Sequence, residues 1–104
     1  MADHTLSNGI TLNVEDAGSG PPVVFIHGVM MSGHFFHRQV PYFSRDYRVV
    51  VPDMRGHGRS EKVLHGHTVA NYARDLQTLF EEIRVERPVL VGWSMGAMVA
   101  YEYM

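Results

Sequence analysis

The pentapeptide Gly92-Trp93-Ser94-Met95-Gly96 follows the apolar run Pro88-Val89-Leu90-Val91, and it opens a segment in which Met95, Met98, Val99 and Tyr101 begin a helix. A serine held between two glycines at that junction demands a sharp strand-to-helix turn, because glycine admits neighbouring backbone where a side chain would collide. Such a turn lifts the serine Oγ above the carboxyl edge of a sheet. It also sets the first helical N–H groups and the positive end of the helix dipole beside that oxygen. The rest of the chain must then supply a sheet for this strand to join and helices to cover it.

The upstream segments have that pattern. Thr5-Leu6-Ser7 and Ile10–Val14 flank Asn8-Gly9, a strong hairpin signal, and Ile10, Leu12 and Val14 alternate with polar residues, which predicts one buried face. After the turn Gly18-Ser19-Gly20-Pro21-Pro22, Val23–Ile26 is an uninterrupted apolar run, as are Tyr47–Val51 and Pro88–Val91. Runs of this kind read as strands covered on both faces. Between the first two, residues 32–44 carry Phe35, Phe36, Val40 and Phe43 at roughly helical spacing, and Pro41 makes that helix begin late or kink. Met54–His67 contains Gly56, Gly58 and Gly66 and reads as loop. Thr68 is a plausible N-cap for a helix whose stripe is Val69, Tyr72, Leu76, Leu79, Phe80 and Ile83. The expected fold is α/β, a β-hairpin followed by βαβαβα on a mostly parallel sheet. Ligands bind such sheets at the carboxyl ends of the strands, where the segments after His27-Gly28, Asp53 and Gly92 all fall.

Composition narrows the partners. A length of 104 residues with 45% hydrophobic and 19% charged content suits one soluble domain. A net charge of -2 gives no electrostatic reason to expect nucleic acid or an anionic membrane surface. No apolar run approaches the roughly 20 residues of a membrane span. Met1-Ala2-Asp3-His4 has no basic and apolar leader, and cysteine is absent, so the expected location is cytoplasmic. The histidine pairs His34/His37 and His65/His67 lack a third ligand at a diagnostic spacing. They read as solvated loop residues, with no metal and no cofactor expected.

Ser94 is the candidate nucleophile. The N–H of Met95 is a candidate oxyanion-hole donor, and the loop after the first buried strand offers Val29 as the second, with Met30 as fallback. His27 reads as a structural ring that orders its loop by hydrogen bonds. Asp53 is expected to pair with Arg55 or to cap backbone N–H groups. Met30, Met31 and Trp93 lie close to the site in sequence and could line an apolar pocket or equally fill the core. A serine nucleophile also needs a histidine base and a carboxylate to orient it. No histidine follows Ser94, and Glu102 is the carboxylate side chain that does.

His27-Gly28, Asp53-Met54-Arg55-Gly56-His57-Gly58-Arg59-Ser60 and Gly92-Trp93-Ser94-Met95-Gly96, in that order and spacing, resemble the N-terminal portion of the α/β-hydrolase fold. Within it they are most similar to the cofactor-free haloperoxidase/perhydrolase and esterase group. The resemblance implies Ser94 as nucleophile, the N–H groups of Met95 and Val29 as oxyanion hole, and acyl transfer on a small ester-like substrate without a metal. Serine rather than aspartate at position 94 speaks against the haloalkane dehalogenases and epoxide hydrolases of this fold. It further implies a sheet order 1-2-4-3-5 that continues with strands absent from these residues. Residues 1–104 then form one partial domain, truncated before the acid and histidine of the triad. Pro88–Val91 becomes an edge, and the chain is expected to form a homodimer or higher oligomer through that edge or the terminal helix. The alternative reading is a catalytically incomplete half-fold acting as a self-associating scaffold or binding module.

Overall fold

The computed structural model describes residues 2–62 and 65–104. Its strands are β1 (Ala2–Thr5), β2 (Thr11–Ala17), β3 (Pro22–Ile26), β4 (Arg48–Pro52) and β5 (Val89–Gly92). Its helices are α1 (Gln39–Phe43), α2 (Val69–Ile83) and α3 (Met95–Tyr103), preceded by a 3₁₀ turn at Gly33–Phe36. The strands form one sheet in the order β1-β2-β4-β3-β5. β3 lies parallel to β4 and β5, while β1 and β2 join antiparallel at the far edge. This is the mixed, mostly parallel α/β arrangement that the sequence pattern predicts. Of the long loop after Met54, Val63 and Leu64 lie outside the described residues.

The continuous apolar strands separate two cores. Val24, Ile26 and Val50 point to one face, where they meet Leu12, Val14, Leu76, Leu79, Phe80 and Val99 under α2 and α3. Val23, Phe25, Val49 and Val51 point to the other, where Phe36 and Val40 cover them. Alternation along a strand produces this division, since successive side chains leave opposite faces. α2 follows its predicted stripe, and Thr68 accepts the Asn71 N–H in its N-cap bond at 3.1 Å. At the other end of α2, Arg48 of β4 donates to the Ile83 and Arg84 carbonyls while holding Asp16. The Asp16 carboxylate raises the Arg48 pKa above its already high ordinary value, so this cation stays in place at the negative end of the helix.

Several local expectations are corrected. Asn8-Gly9 does not close a two-residue turn; the loop is Ser7-Asn8-Gly9, between Leu6 and Ile10, with Gly9 at φ 89°. Asn8 is occupied elsewhere, for its amide donates to Asp75 on α2 at 2.9 Å. The segment over residues 32–44 begins its helix late, as Pro41 predicts: a 3₁₀ turn comes first, its entry held by Asp53 on the Gly33 N–H (2.6 Å), and α1 starts at Gln39 with Pro41 in its first turn. β5 is not covered on both faces: Leu90 packs on the main core, but Val89 is 61% and Val91 39% exposed. The second layer ends over β3 and β4 and leaves them open. On α3, Met95 and Val99 are buried, whereas Met98 and Tyr101 face out. Among the described residues no helix is long and apolar enough to cross a membrane.

One buried ion pair ties the layers together. Arg55 Nε and Nη2 donate to the two Asp75 oxygens at 2.9 Å each, and Asp75 is fully buried. Removing one partner strands a charge in a site that has lost its water, which typically costs about 3–5 kcal/mol. Asp75→Ala is therefore expected to lower the unfolding free energy by about that much, read from urea denaturation. The double change Asp75→Leu with Arg55→Met should recover most of the loss, since it leaves no charge unpaired.

Candidate active site

Parallel β3, β4 and β5 deliver three loops to one edge of the sheet. The first two are locked to each other by a neutral imidazole. His27 Nδ1 donates to the Gly28 carbonyl at 2.7 Å, and Nε2 accepts the Met54 N–H at 3.0 Å. Both ring nitrogens are thereby engaged in holding loops. Burial lowers the His27 pKa below its ordinary value near 6.5; the Gly28 carbonyl and Asp53 oppose the shift, and His57 reinforces it. Asp53 caps backbone, accepting the N–H groups of Gly33 (2.6 Å) and Arg59 (2.9 Å). Its expected alternative partner, Arg55, pairs with Asp75 instead. Ser60 accepts the Asn13 N–H and donates to the Asp53 carbonyl, which fastens the same loop to β2.

The third loop turns at Ser94. This residue has φ 54° and ψ −117°, a backbone conformation that favours glycine, and its side chain is exposed. The turn closes with the Gly96 N–H on the Trp93 carbonyl at 2.8 Å and the Ala97 N–H on the Ser94 carbonyl at 2.9 Å. A Cβ on Gly96 would stand 2.0 Å from the Ile26 carbonyl oxygen, so only glycine lets α3 begin this close to β3. A Cβ on Gly28 would come within 3.3 Å of the Ser94 Cβ. The loop carrying Val29 and Met30 thus begins close beside Ser94, with no room for a side chain at Gly28. Met95 is the first helical residue, and its N–H has no partner within the helix.

A cavity of about 690 Å³ opens beside this junction, lined by Val29, Met30, Met31, His57, Tyr72 and Met95 among others. Val29 is 56% and Met30 90% exposed at its mouth, Met30 in a left-handed conformation at φ 63°. Trp93 does not line it. Strand alternation sends Trp93 to the same face as Val89 and Val91, where its ring stacks on Phe35 at 5.6 Å. Tyr72 reaches the cavity from the α2 stripe, where its spacing predicts a core role. His57 Nδ1 donates to the Arg55 carbonyl at 2.9 Å. Elsewhere, His34 and His37 stack at 4.6 Å on the exposed 3₁₀ segment.

Two outcomes follow from this geometry. A non-glycine residue in such a backbone well is strained by about 1–3 kcal/mol. Ser94→Gly should relieve part of that strain and stabilise the fold by about 1 kcal/mol, visible as a higher melting temperature. The native chain holds His27 neutral, whereas the unfolded chain takes up a proton there below about pH 6.5. Stability should accordingly be flat above that pH and fall below it, by at most about 1.4 kcal/mol per pH unit, until the lowered native pKa is passed. Urea midpoints between pH 5 and 8 measure the slope, and His27→Gln should remove the part owed to this ring.

The sequence pattern of the alpha/beta hydrolase fold family matches residues 21–104. A non-heme haloperoxidase from Rhodococcus erythropolis is 37% identical over 101 residues, covering 96% of this chain and 37% of that protein. An epoxide hydrolase from Caballeronia sordidicola is 37% identical over 98 residues, covering 91% of this chain and 30% of that protein. Among solved structures, an esterase from Exiguobacterium antarcticum superposes with a TM-score of 0.92 at 30% identity, over 98% of this chain and 38% of that one. The chain therefore spans well under half the length of these relatives. Their names cover different reactions. By its sheet order, its three carboxyl-edge loops and these matches, the chain belongs to the alpha/beta hydrolase fold family.

Proposed function

We propose that this chain carries the nucleophile and oxyanion hole of a serine hydrolase acting on small ester-like substrates. The observation that carries the reading is the glycine-type backbone of Ser94, exposed at a helix start and close beside the Gly28 loop. Strain of this kind persists only where surrounding packing enforces it, and it concentrates at functional sites. Ser94 Oγ attacks the substrate carbonyl carbon, and its proton passes to a histidine base. The N–H groups of Met95 and Val29 receive the charge that develops on the carbonyl oxygen. The alcohol leaves with that proton, and water then hydrolyses the acyl-enzyme. Met30 and Met31 give the acyl group an apolar wall on the cavity.

The base and its carboxylate come from outside residues 1–104 in this reading. Both nitrogens of His27 are already engaged with backbone, which supports that assignment. An oxyanion hole without its base retains on the order of a thousandfold acceleration over water. A serine in such a hole should therefore react, but slowly.

Intact-mass labelling of the 104-residue chain with a fluorophosphonate tests this reading. The expected result is a single adduct that accumulates over hours, is absent in Ser94→Ala, and forms at a rate with no step near pH 6.5. Equal labelling of Ser94→Ala would overturn the nucleophile assignment. Rapid stoichiometric labelling that titrates near that pH would place the base within these residues.

A further inference from the structure

We propose, resting on the reading of Ser94 and Val29 above, that His27 is a positioning residue for the oxyanion hole. Its Nδ1–H fixes the peptide plane from which the Val29 N–H emerges. The Gly28–Val29 peptide is trans, and a peptide unit is planar. Its carbonyl and its N–H therefore point opposite ways from one rigid plate, so whatever holds the oxygen aims the hydrogen. Among the described residues the Val29 N–H meets no acceptor of its own. Its direction is set at the Gly28 carbonyl.

Two donors hold that carbonyl. The His27 ring reaches it at 2.7 Å, and the Met31 N–H closes a four-residue turn on it at 3.3 Å. The turn's own bond is longer than the usual range of about 2.7–3.2 Å. Its third residue, Met30, stands at φ 63°, a conformation that L side chains disfavour. Such a turn does little to fix its own carbonyl, and the shorter bond from the ring dominates.

The ring is itself seated. It is fully buried, and Nε2 accepts the Met54 N–H at 3.0 Å from the loop after β4. The two partners agree on the tautomer. A carbonyl only accepts, so Nδ1 carries the proton; an N–H only donates, so Nε2 is bare. On its other side the plate lies beside the nucleophile, since a Cβ on Gly28 would stand 3.3 Å from the Ser94 Cβ. The start of α3 fixes the Met95 N–H independently, so turning the plate would misalign the two donors of the hole. A hydrogen bond weakens steeply off line, and an oxyanion hole acts through donors aimed in advance. Joining the two loops takes both ring nitrogens, whereas the aim of the Val29 N–H is delivered through Nδ1 alone.

That difference separates aiming from mere structure. Fluorophosphonate labelling reads the hole, because attack of Ser94 Oγ on phosphorus, with loss of fluoride, builds negative charge on the phosphonyl oxygen. His27→Asn puts an amide nitrogen near the place of Nδ1 and gives up the Met54 bond. His27→Gln brings an amide oxygen to the Met54 N–H and gives up the bond to Gly28. Each variant loses one hydrogen bond between loops, so their urea midpoints should fall by similar amounts. Their labelling rates should diverge, His27→Asn staying within about threefold of the native chain and His27→Gln slowing by about tenfold or more. Equal rates in the two folded variants, or the reverse order, would overturn the proposal. Nitrogen-15 NMR of the native chain needs no substitution. His27 Nδ1 should be protonated and Nε2 bare, and the Val29 amide proton should move downfield when the Ser94 adduct forms. The opposite tautomer, or a Val29 amide indifferent to the adduct, sinks the proposal as well. Labelling of Ser94→Ala as fast as that of the native chain would instead remove the nucleophile, and the aimed hole with it.

Discussion

A close backbone approach, where α3 starts against the end of β3, governs the arrangement at the carboxyl edge. No side chain fits between Gly96 and the Ile26 carbonyl. Because the helix must begin there, the residue before it is forced into a conformation that L-amino acids avoid, and its side chain is thrown outward. α3 in turn sets where α2 lies, and with it the main core. One contact between two backbones thus determines a layer spacing, a strained torsion and the exposure of an oxygen.

Polar groups do the corresponding work between the loops. His27, Asp53 and Ser60 each serve main-chain partners on a neighbouring segment, and Arg55 with Asp75 joins a loop to a helix. None of these groups is held by a neighbour in sequence alone. Their value lies in fixing loop against loop, since an apolar contact has no preferred direction and a hydrogen bond does. Neutral His27 suits this role, because it offers one donor and one acceptor without a charge to solvate.

Much of this was legible in the sequence. The apolar runs at Val23–Ile26 and Tyr47–Val51, the Thr68 cap, the α2 stripe and the glycine-flanked serine each state a local requirement that tertiary structure then meets. The structural roles read for His27 and for Asp53 as a backbone cap follow from their positions at strand ends. Partner choice was less legible, as Arg55 shows by passing over nearby Asp53 for Asp75. A signal was present: Asp75 lies three residues from Tyr72 and four from Leu79, so a carboxylate sits on the apolar face of α2 and requires a cation. The openness of β5 was hidden because a run such as Val-Leu-Val carries no record of how many layers cover it. Trp93 was misplaced for a related reason, since nearness in sequence to Ser94 does not give the face on which a strand residue emerges.

The cavity wall has a chemical liability as well as a shape. With no cysteine in the chain, its thioethers are the side chains most readily oxidised. Met54 is shielded in the core, whereas Met30 stands almost fully exposed at the cavity mouth, with Met31 and Met95 behind it. Conversion of Met30 to its sulfoxide would put a polar, stereogenic group where an apolar surface now lies, without disturbing the packed interior. An oxidant would therefore alter what this mouth admits well before it altered the fold.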